Sequence, residues 1–364
     1  MKVTVPIIGG PYTHEVSSIN RLMLWVMLAL LPVTGYGLYL FGWPAIFLFT
    51  LTIGTAVIAE AFSLWVRKRP IKPFLLDGSA ILTGWLLALT LPPWAPWWIA
   101  VVGSLLAIVI GKQVFGGLGQ NLFNPAMVAR VALLISFPLQ LTSFVAPQPL
   151  FAAGSPGFID SLQVTFGHAA QLDGISSATL LGHIRTQLSQ GIDLSKALLN
   201  QPSLSQLLWG NVAGSMGETS ALLILAGGLL LLARRIISWQ IPVAMLATVA
   251  LLATVMHMMD PLRYPDAAYH LLSGSLMLGA FFIATDLVTS PVTSKGQLIY
   301  AIGCGLLIYV IRSWSGFPEG VAFAVLLMNA LTPLIDYYLK PRVYGRTRQG
   351  EPIQYADETT SEES

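Results

Sequence analysis

The chain has 364 residues, 55% of them hydrophobic and only 10% charged, with a formal net charge of +2, whereas soluble domains carry roughly 25% charged residues. This balance excludes a soluble globular enzyme, and the small, scattered positive charge excludes a nucleic-acid surface. At about 20 apolar residues per helical crossing the hydrophobic content fills about ten membrane helices, and long apolar runs such as 98–110 and 221–233 argue against the alternating strands of an outer-membrane barrel.

Residues 1–20 lead into the first apolar run, 22–40, which is long and lacks a small-residue cleavage site after it, so it reads as an anchor. Further spans are predicted near 45–66, 78–92, 97–114 and 125–142, completing a first membrane region over 21–142. Residues 143–216 interrupt the pattern with Pro147, Pro149, Gly154, Pro156 and Gly157, followed by short amphipathic stretches, and are predicted to form one ordered extramembrane insert. Spans near 219–233, 239–258, 269–286, 297–311 and 318–337 make a second membrane region over 217–338. The tail, 339–364, turns from basic to acidic with almost no apolar residues and is predicted to be largely disordered.

Basic residues gather in cytoplasmic loops. Arg67, Lys68, Arg69, Lys72, Lys112, Arg234, Arg235 and Lys295 fall on the same side as both ends of the chain, and Arg185, Lys196, Arg263 and Arg312 on the other. Both termini are therefore expected inside and the insert outside.

An internal repeat is visible. GSAILTGWLLALTLPP from Gly78 and GSLMLGAFFIATDLVTSP from Gly274 keep small residues, apolar residues and a closing proline in similar places, and Asn124-Pro125 matches Phe317-Pro318 more weakly. With about five spans per half, the second copy enters the membrane from the opposite side. The expected fold class is an all-α polytopic membrane protein of about ten transmembrane helices in two inverted five-helix repeats. Such folds bind at the repeat interface, where broken helices free backbone groups. Gly116-Gly117-Leu118-Gly119 ahead of Asn124-Pro125, and Trp314 to Pro318, are plausible breaks; ordinary reversals between helices fit the same residues.

With a single cysteine, Cys304, this chain alone cannot build an intrachain disulfide, a Cys-ligated iron–sulfur cluster or a thiolate zinc site. The histidines show no metal-binding spacing, so no metal site is expected. His257 and His270 read as structural. Trp94, Trp97 and Trp98 read as an interfacial aromatic belt. Glu60 and Arg130 lie inside spans and are expected to pair with each other or to snorkel toward the interface. Asn121, Asn124 and Asp286 place amides and a carboxylate in apolar surroundings, where they need partners. In the insert, Asp173-Gly174-Ile175-Ser176-Ser177-Ala178-Thr179 reads as a turn entering a helix, with Ser176 or Ser177 as N-cap and Thr179 in the first turn, where free amides and the helix dipole favour a phosphate. A capped surface helix is the plainer reading of that string.

With that string the chain resembles the RnfD family, a membrane component of the Rnf (Rsx) ion-translocating electron-transport complex, itself similar to a membrane component of the sodium-pumping NADH:quinone reductase. The likeness runs over almost the whole chain: Pro11-Tyr12-Thr13-His14, KQVFGGLGQNLFNPAM from Lys112, the DGISSAT string, Leu271 to Asp286, and Gly320 to Tyr344. The family carries FMN through a phosphoester on the last Thr of the string, which implies covalent FMN on Thr179, with Asp173 and Ser176 recognised by the separate transferase that installs it. The family more often has Gly at the position of Ser177. The related sodium pump holds riboflavin in the membrane, which implies a non-covalent site at Asn121, Asn124 and Asp286.

The resemblance further implies a urea-transporter-like architecture, a bacterial inner-membrane location, and a role relaying electrons between ferredoxin and NAD during proton or sodium translocation. The expected partners are the other membrane subunits, iron–sulfur subunits, a second covalent-flavin subunit and the lipid bilayer, with no catalysis by the chain alone. The rival reading from the inverted repeat is a channel or secondary transporter for a small polar solute.

Overall fold

The computed structural model describes residues 18–152, 154–167, 176–177, 180–198, 201–315, 317 and 319–341. The chain is mostly helical. Helix α1, Ile19–Val66, starts at Ser18, whose hydroxyl accepts from Arg21 N. Its 48 residues would run about 72 Å at 1.5 Å per residue, more than twice the ~30 Å hydrocarbon core. It is in fact two helices meeting at Gly42 (φ 74°, ψ −159°), two residues before Pro44, which cannot donate to the helix ladder. The carbonyls released at the break are taken up: Leu150 N donates to Tyr39 O at 2.7 Å and Trp94 Nε1 to Phe41 O at 3.1 Å. In a bilayer such groups have no water to turn to. Trp94 is thus a buried structural donor, which corrects its assignment to the aromatic belt.

Short α2, Ile71–Leu75, leads to α3, Ser79–Thr90, and α4, Trp97–Leu105. Helix α4 continues as a π-helical stretch, Leu106–Gln113, whose wide turns bring Lys112 and Gln113 inward. Helix α5, Pro125–Ser136, begins on the Asn124 cap, and α6 covers Pro138–Thr142.

The insert has its own order. Strand β1, Phe144–Val145, pairs antiparallel with β2, Ser176–Ser177, and between them α7, Phe158–Phe166, sets Phe158 edge-on against Trp43 and Phe47 of α1. Helices α8, Leu180–Ser189, α9, Leu194–Ala197, and α10, Leu204–Trp209, share a small core of Leu180, Ile184, Leu194 and Leu207. The capping box of Ser203 and Gln206 starts α10, and Gly210 at φ 82° ends it.

A 3₁₀ turn, Met216–Glu218, precedes α11, Ala221–Ala233; α12, Gln240–Met259, follows. The predicted span 269–286 is not one helix. It divides into α13, Ala267–Leu272, a turn through Gly274 (φ 69°), α14, Leu276–Leu278, and a π turn, Gly279–Ile283. Helices α15, Ser294–Trp314, and α16, Val321–Tyr338, complete the order.

Among the described residues, five stretches are long and apolar enough to cross a membrane: Ile19–Val66, Ile71–Thr90, Gln240–Met259, Ser294–Trp314 and Val321–Tyr338; Trp97–Gln113, Pro125–Ser136 and Ala221–Ala233 are shorter and apolar. One core runs through both regions, with Leu30, Leu87, Ile99 and Leu133 joined to Met245, Leu278, Ile308 and Val325. The outward faces are apolar too. Ile299, Ile302, Leu306 and Val310 on α15 and Leu327, Leu331 and Leu334 on α16 are exposed at helical spacing, stripes suited to lipid rather than water.

Candidate functional site

Asn124 is held by what it caps. Its Oδ1 accepts from Ala126 N (3.1 Å) and Met127 N (3.3 Å), closing the start of α5 ahead of Pro125. That leaves the amide nitrogen facing away from α5, and it donates across to Ile283 O of the second region at 3.4 Å. In the amide orientation that satisfies both its ends, Asn329 of α16 accepts from Asn124 N at 3.0 Å and donates to Val325 O and Tyr300 Oη. Asn124 therefore fastens the two membrane regions together.

Asn121 lies one turn of loop earlier. Its Nδ2 donates to Phe123 O at 3.1 Å, while its Oδ1 is buried without a partner. Asp286, just beyond the second π turn, accepts from Val288 N (3.3 Å) and Thr289 Oγ1 (3.1 Å). All of these expected site residues line one cavity between the regions, together with Lys112, Thr285, Phe281 and Phe282. The space open to the centre of a water is about 100 Å³, below the ~300–1,000 Å³ of sites that enclose a drug-sized ligand. Together with the mouth the non-protein space reaches about 850 Å³. An unpartnered acceptor, a carboxylate and an aromatic wall suit a ligand that carries both ring N–H groups and an apolar edge.

One wall is a buried charge network that the sequence reading missed. Lys112 Nζ donates to Glu60 Oε1 at 2.9 Å and to Ser79 Oγ at 2.7 Å, both ends of the ion pair being 2% exposed. Gln113 Nε2 also donates to Glu60 Oε1, at 2.6 Å, and Arg67 Nη1 to Gln113 Oε1, at 2.8 Å. Lys112 is therefore a core residue and not a loop cation, and Glu60 pairs with it and not with Arg130. The only sequence signal was a lysine just ahead of a glycine-rich turn, and no periodicity analysis foresees the π turns that rotate it inward.

The second region holds a counterpart. Arg312, assigned by charge counting to an outer loop, is buried; it donates to His270 O (2.8 Å) and Ser273 O (3.1 Å) and meets Glu319 Oε2 at 3.4 Å. Ser275 Oγ donates to the same Glu319 oxygen at 2.8 Å. His257 is structural, its Nδ1 being 2.7 Å from Tyr264 O.

Thr179 and Asp173 lie outside the described residues. Ser176 and Ser177 form the strand paired with Val145 and Phe144, and α8 is described over Leu180–Ser189. The residues that join this strand to α8, and with them the turn-into-helix reading of the string, lie outside the described residues.

A profile of the NQR2, RnfD, RnfE family matches residues 7–345, nearly the whole chain. The chain belongs to this family. It is 58% identical to the D subunit of the ion-translocating oxidoreductase complex of Stutzerimonas stutzeri over 337 residues, covering 93% of this chain and 95% of the relative. The proteins of the same name from Halorhodospira halophila and Escherichia coli are 52% and 46% identical, over 95% and 94% of this chain and 97% and 99% of the relatives. The matched range includes the residues that line the cavity and both buried ion pairs.

Proposed function

We propose that the chain is the RnfD-type membrane subunit of a redox-driven ion-translocating oxidoreductase complex and that it carries flavin. The observation that carries this reading is the convergence of Asn121, Asn124 and Asp286 on one cavity between the two membrane regions, with the Asn121 acceptor buried and unpartnered. A non-covalent riboflavin would be held there by Asn121 and Asp286, with Asn124 keeping the regions in register around it. A covalent FMN sits on Thr179 as a phosphoester, installed by a transferase that reads Asp173 and Ser176. When bound, a flavin supplies a carrier of one or two electrons; the protein's part is to hold the ring, exclude water and set the charge around it. Lys112, shared between Glu60 and Ser79 at the cavity wall, fixes a positive charge there.

The inverted five-helix repeat belongs to the same proposal. Its support is the matched geometry of the Gly–Ser turns: Gly78 and Gly274 both take positive φ (80° and 69°), and the serine after each bonds a member of a buried ion pair. The further proposals are an inner-membrane location with both termini cytoplasmic and the insert periplasmic, electron exchange linked to ferredoxin and NAD, and iron–sulfur and second covalent-flavin subunits as partners.

Mass measurement of the peptide covering 173–185 tests the attachment. The expected result is an added mass of FMN minus water, absent in Thr179→Ala; an unmodified wild-type peptide from the assembled complex refutes it. For the intramembrane site, acid-extractable flavin is expected in purified protein and lost in Asn121→Ala. A colourless protein that conducts a small solute in liposomes overturns the whole reading.

A further inference from the structure

At the insert side of the contact between the two membrane regions, four buried charges come together. Glu218, in the turn ahead of α11, and Glu319, ahead of α16, face one small cavity, roofed by Leu180, Leu181 and Leu207 of the insert. Its volume open to the centre of a water is about 10 Å³, room for one water. Ser273, 5% exposed, lines the same cavity, and its hydroxyl has no partner. Glu218 Oε1 accepts from Ser215 Oγ at 2.8 Å, and Glu319 Oε2 accepts from Ser275 Oγ at 2.8 Å. Around the carboxyls stand Arg312, bonded to Glu319, and Arg130 of α5, whose Nη1 is buried and unpartnered. His270 of α13 is the remaining titratable neighbour; its backbone carbonyl accepts from Arg312, and its ring nitrogens are buried without partners.

We propose that Glu218 and Glu319, with Ser273 and one water between them, hold a single exchangeable proton at the insert-side end of the contact between the membrane regions. Two carboxylates that share a water-sized space cannot both ionise without cost, so the neighbouring Glu319 favours keeping the proton on Glu218. Burial, followed by the like charge of Glu319, pushes the Glu218 carboxyl up to about 7, against the opposing pull of Ser215, Arg130 and Arg312. A metal cation is disfavoured by the same surroundings, since two guanidinium groups stand beside the carboxyls and repel it, and few oxygens are left to replace its hydration shell. The apolar roof belongs to the insert, so exchange with outer water requires α8 and α10 to part from Gly274. Proton binding here does not depend on the flavin reading; its use as a loading step in ion translocation does.

The test is infrared pH-difference spectroscopy on the full chain in lipid nanodiscs, with ¹³C-carboxyl glutamate separating Glu from Asp. The expected result is a protonated glutamate band that vanishes as pH rises through about 7, with a midpoint unchanged by sodium, absent in Glu218→Gln and shifted to lower pH in Glu319→Gln. Persistence of the band in Glu218→Gln overturns the proposal. So does its absence from wild type at pH below the expected midpoint. A midpoint driven down by sodium would make this a cation site instead. The wild-type titration with and without sodium needs no variant, so a misfolded Glu319→Gln leaves the proposal decidable. Flavin content measured on the same samples separates its failure from failure of the flavin assignment.

Discussion

Lys112→Met would strip Glu60 of its counter-charge while keeping the length and apolar stem of the side chain. Glu60 and Lys112 are each 2% exposed, and after the change the Glu60 carboxylate keeps only the 2.6 Å bond from Gln113 Nε2, its Oε2 being unpartnered already. Removing one member of a buried pair costs about 3–5 kcal/mol, because the other charge stays in a low-dielectric site. Taking the globular unfolding entropy of about 2.1 cal/mol/K per residue, that corresponds to roughly 4–7 °C in unfolding temperature. The assay is intrinsic tryptophan fluorescence on heating in detergent, comparing wild type, Lys112→Met, Glu60→Gln and the double variant. Since replacing both members of a buried pair is often close to neutral, the double variant is expected to regain most of the loss. A single-variant drop no larger than the ~0–1 kcal/mol of a surface pair, or a double variant no more stable than Lys112→Met, would refute the reasoning.

Gly274→Ala is expected to destabilise the chain by at least ~1–2 kcal/mol from its positive φ alone, and more because its Cβ would collide with Glu319 Oε1; thermal unfolding reads this directly. Asn124→Ala and Asn121→Ala should separate: the first loses a helix cap worth about 0.5–2 kcal/mol and the bond to Ile283, whereas the second leaves the unfolding temperature nearly unchanged and reduces bound flavin. For pH, the Glu218 carboxyl is raised in the folded chain from 4.5 to about 7, so the folded state binds more protons than the unfolded one across that window. Its contribution to stability is full at the acid end and is lost as pH rises toward 7, and Glu218→Gln should flatten that part of the stability–pH curve.

The low charge, the long apolar runs, the central insert and the repeated Gly–Ser turns were all legible in the sequence, because each is a local property of composition or spacing. So was the trio Asn121, Asn124 and Asp286, since a polar side chain in an apolar run needs a partner wherever it ends up. The partners were another matter. Charge counting placed Lys112 and Arg312 in loops on opposite sides, and the structure buries both. Each sits near the end of an apolar span, where a loop and a core position look alike in hydropathy. Pairing Glu60 with Lys112 depends on a π turn and on helices distant in sequence, and Arg312 meets Glu319, seven residues on, beside the φ-positive Gly274. Ser176 and Ser177 pair with Val145 and Phe144, a contact between segments far apart in the chain that no N-cap pattern reveals. The sequence by itself determined that this chain is a helical membrane protein and which polar residues it had to satisfy, because burial of apolar surface and the cost of an unpaired polar group act residue by residue. Only the tertiary structure decided which charges meet and where cavities remain, because those depend on the packing of whole helices against one another.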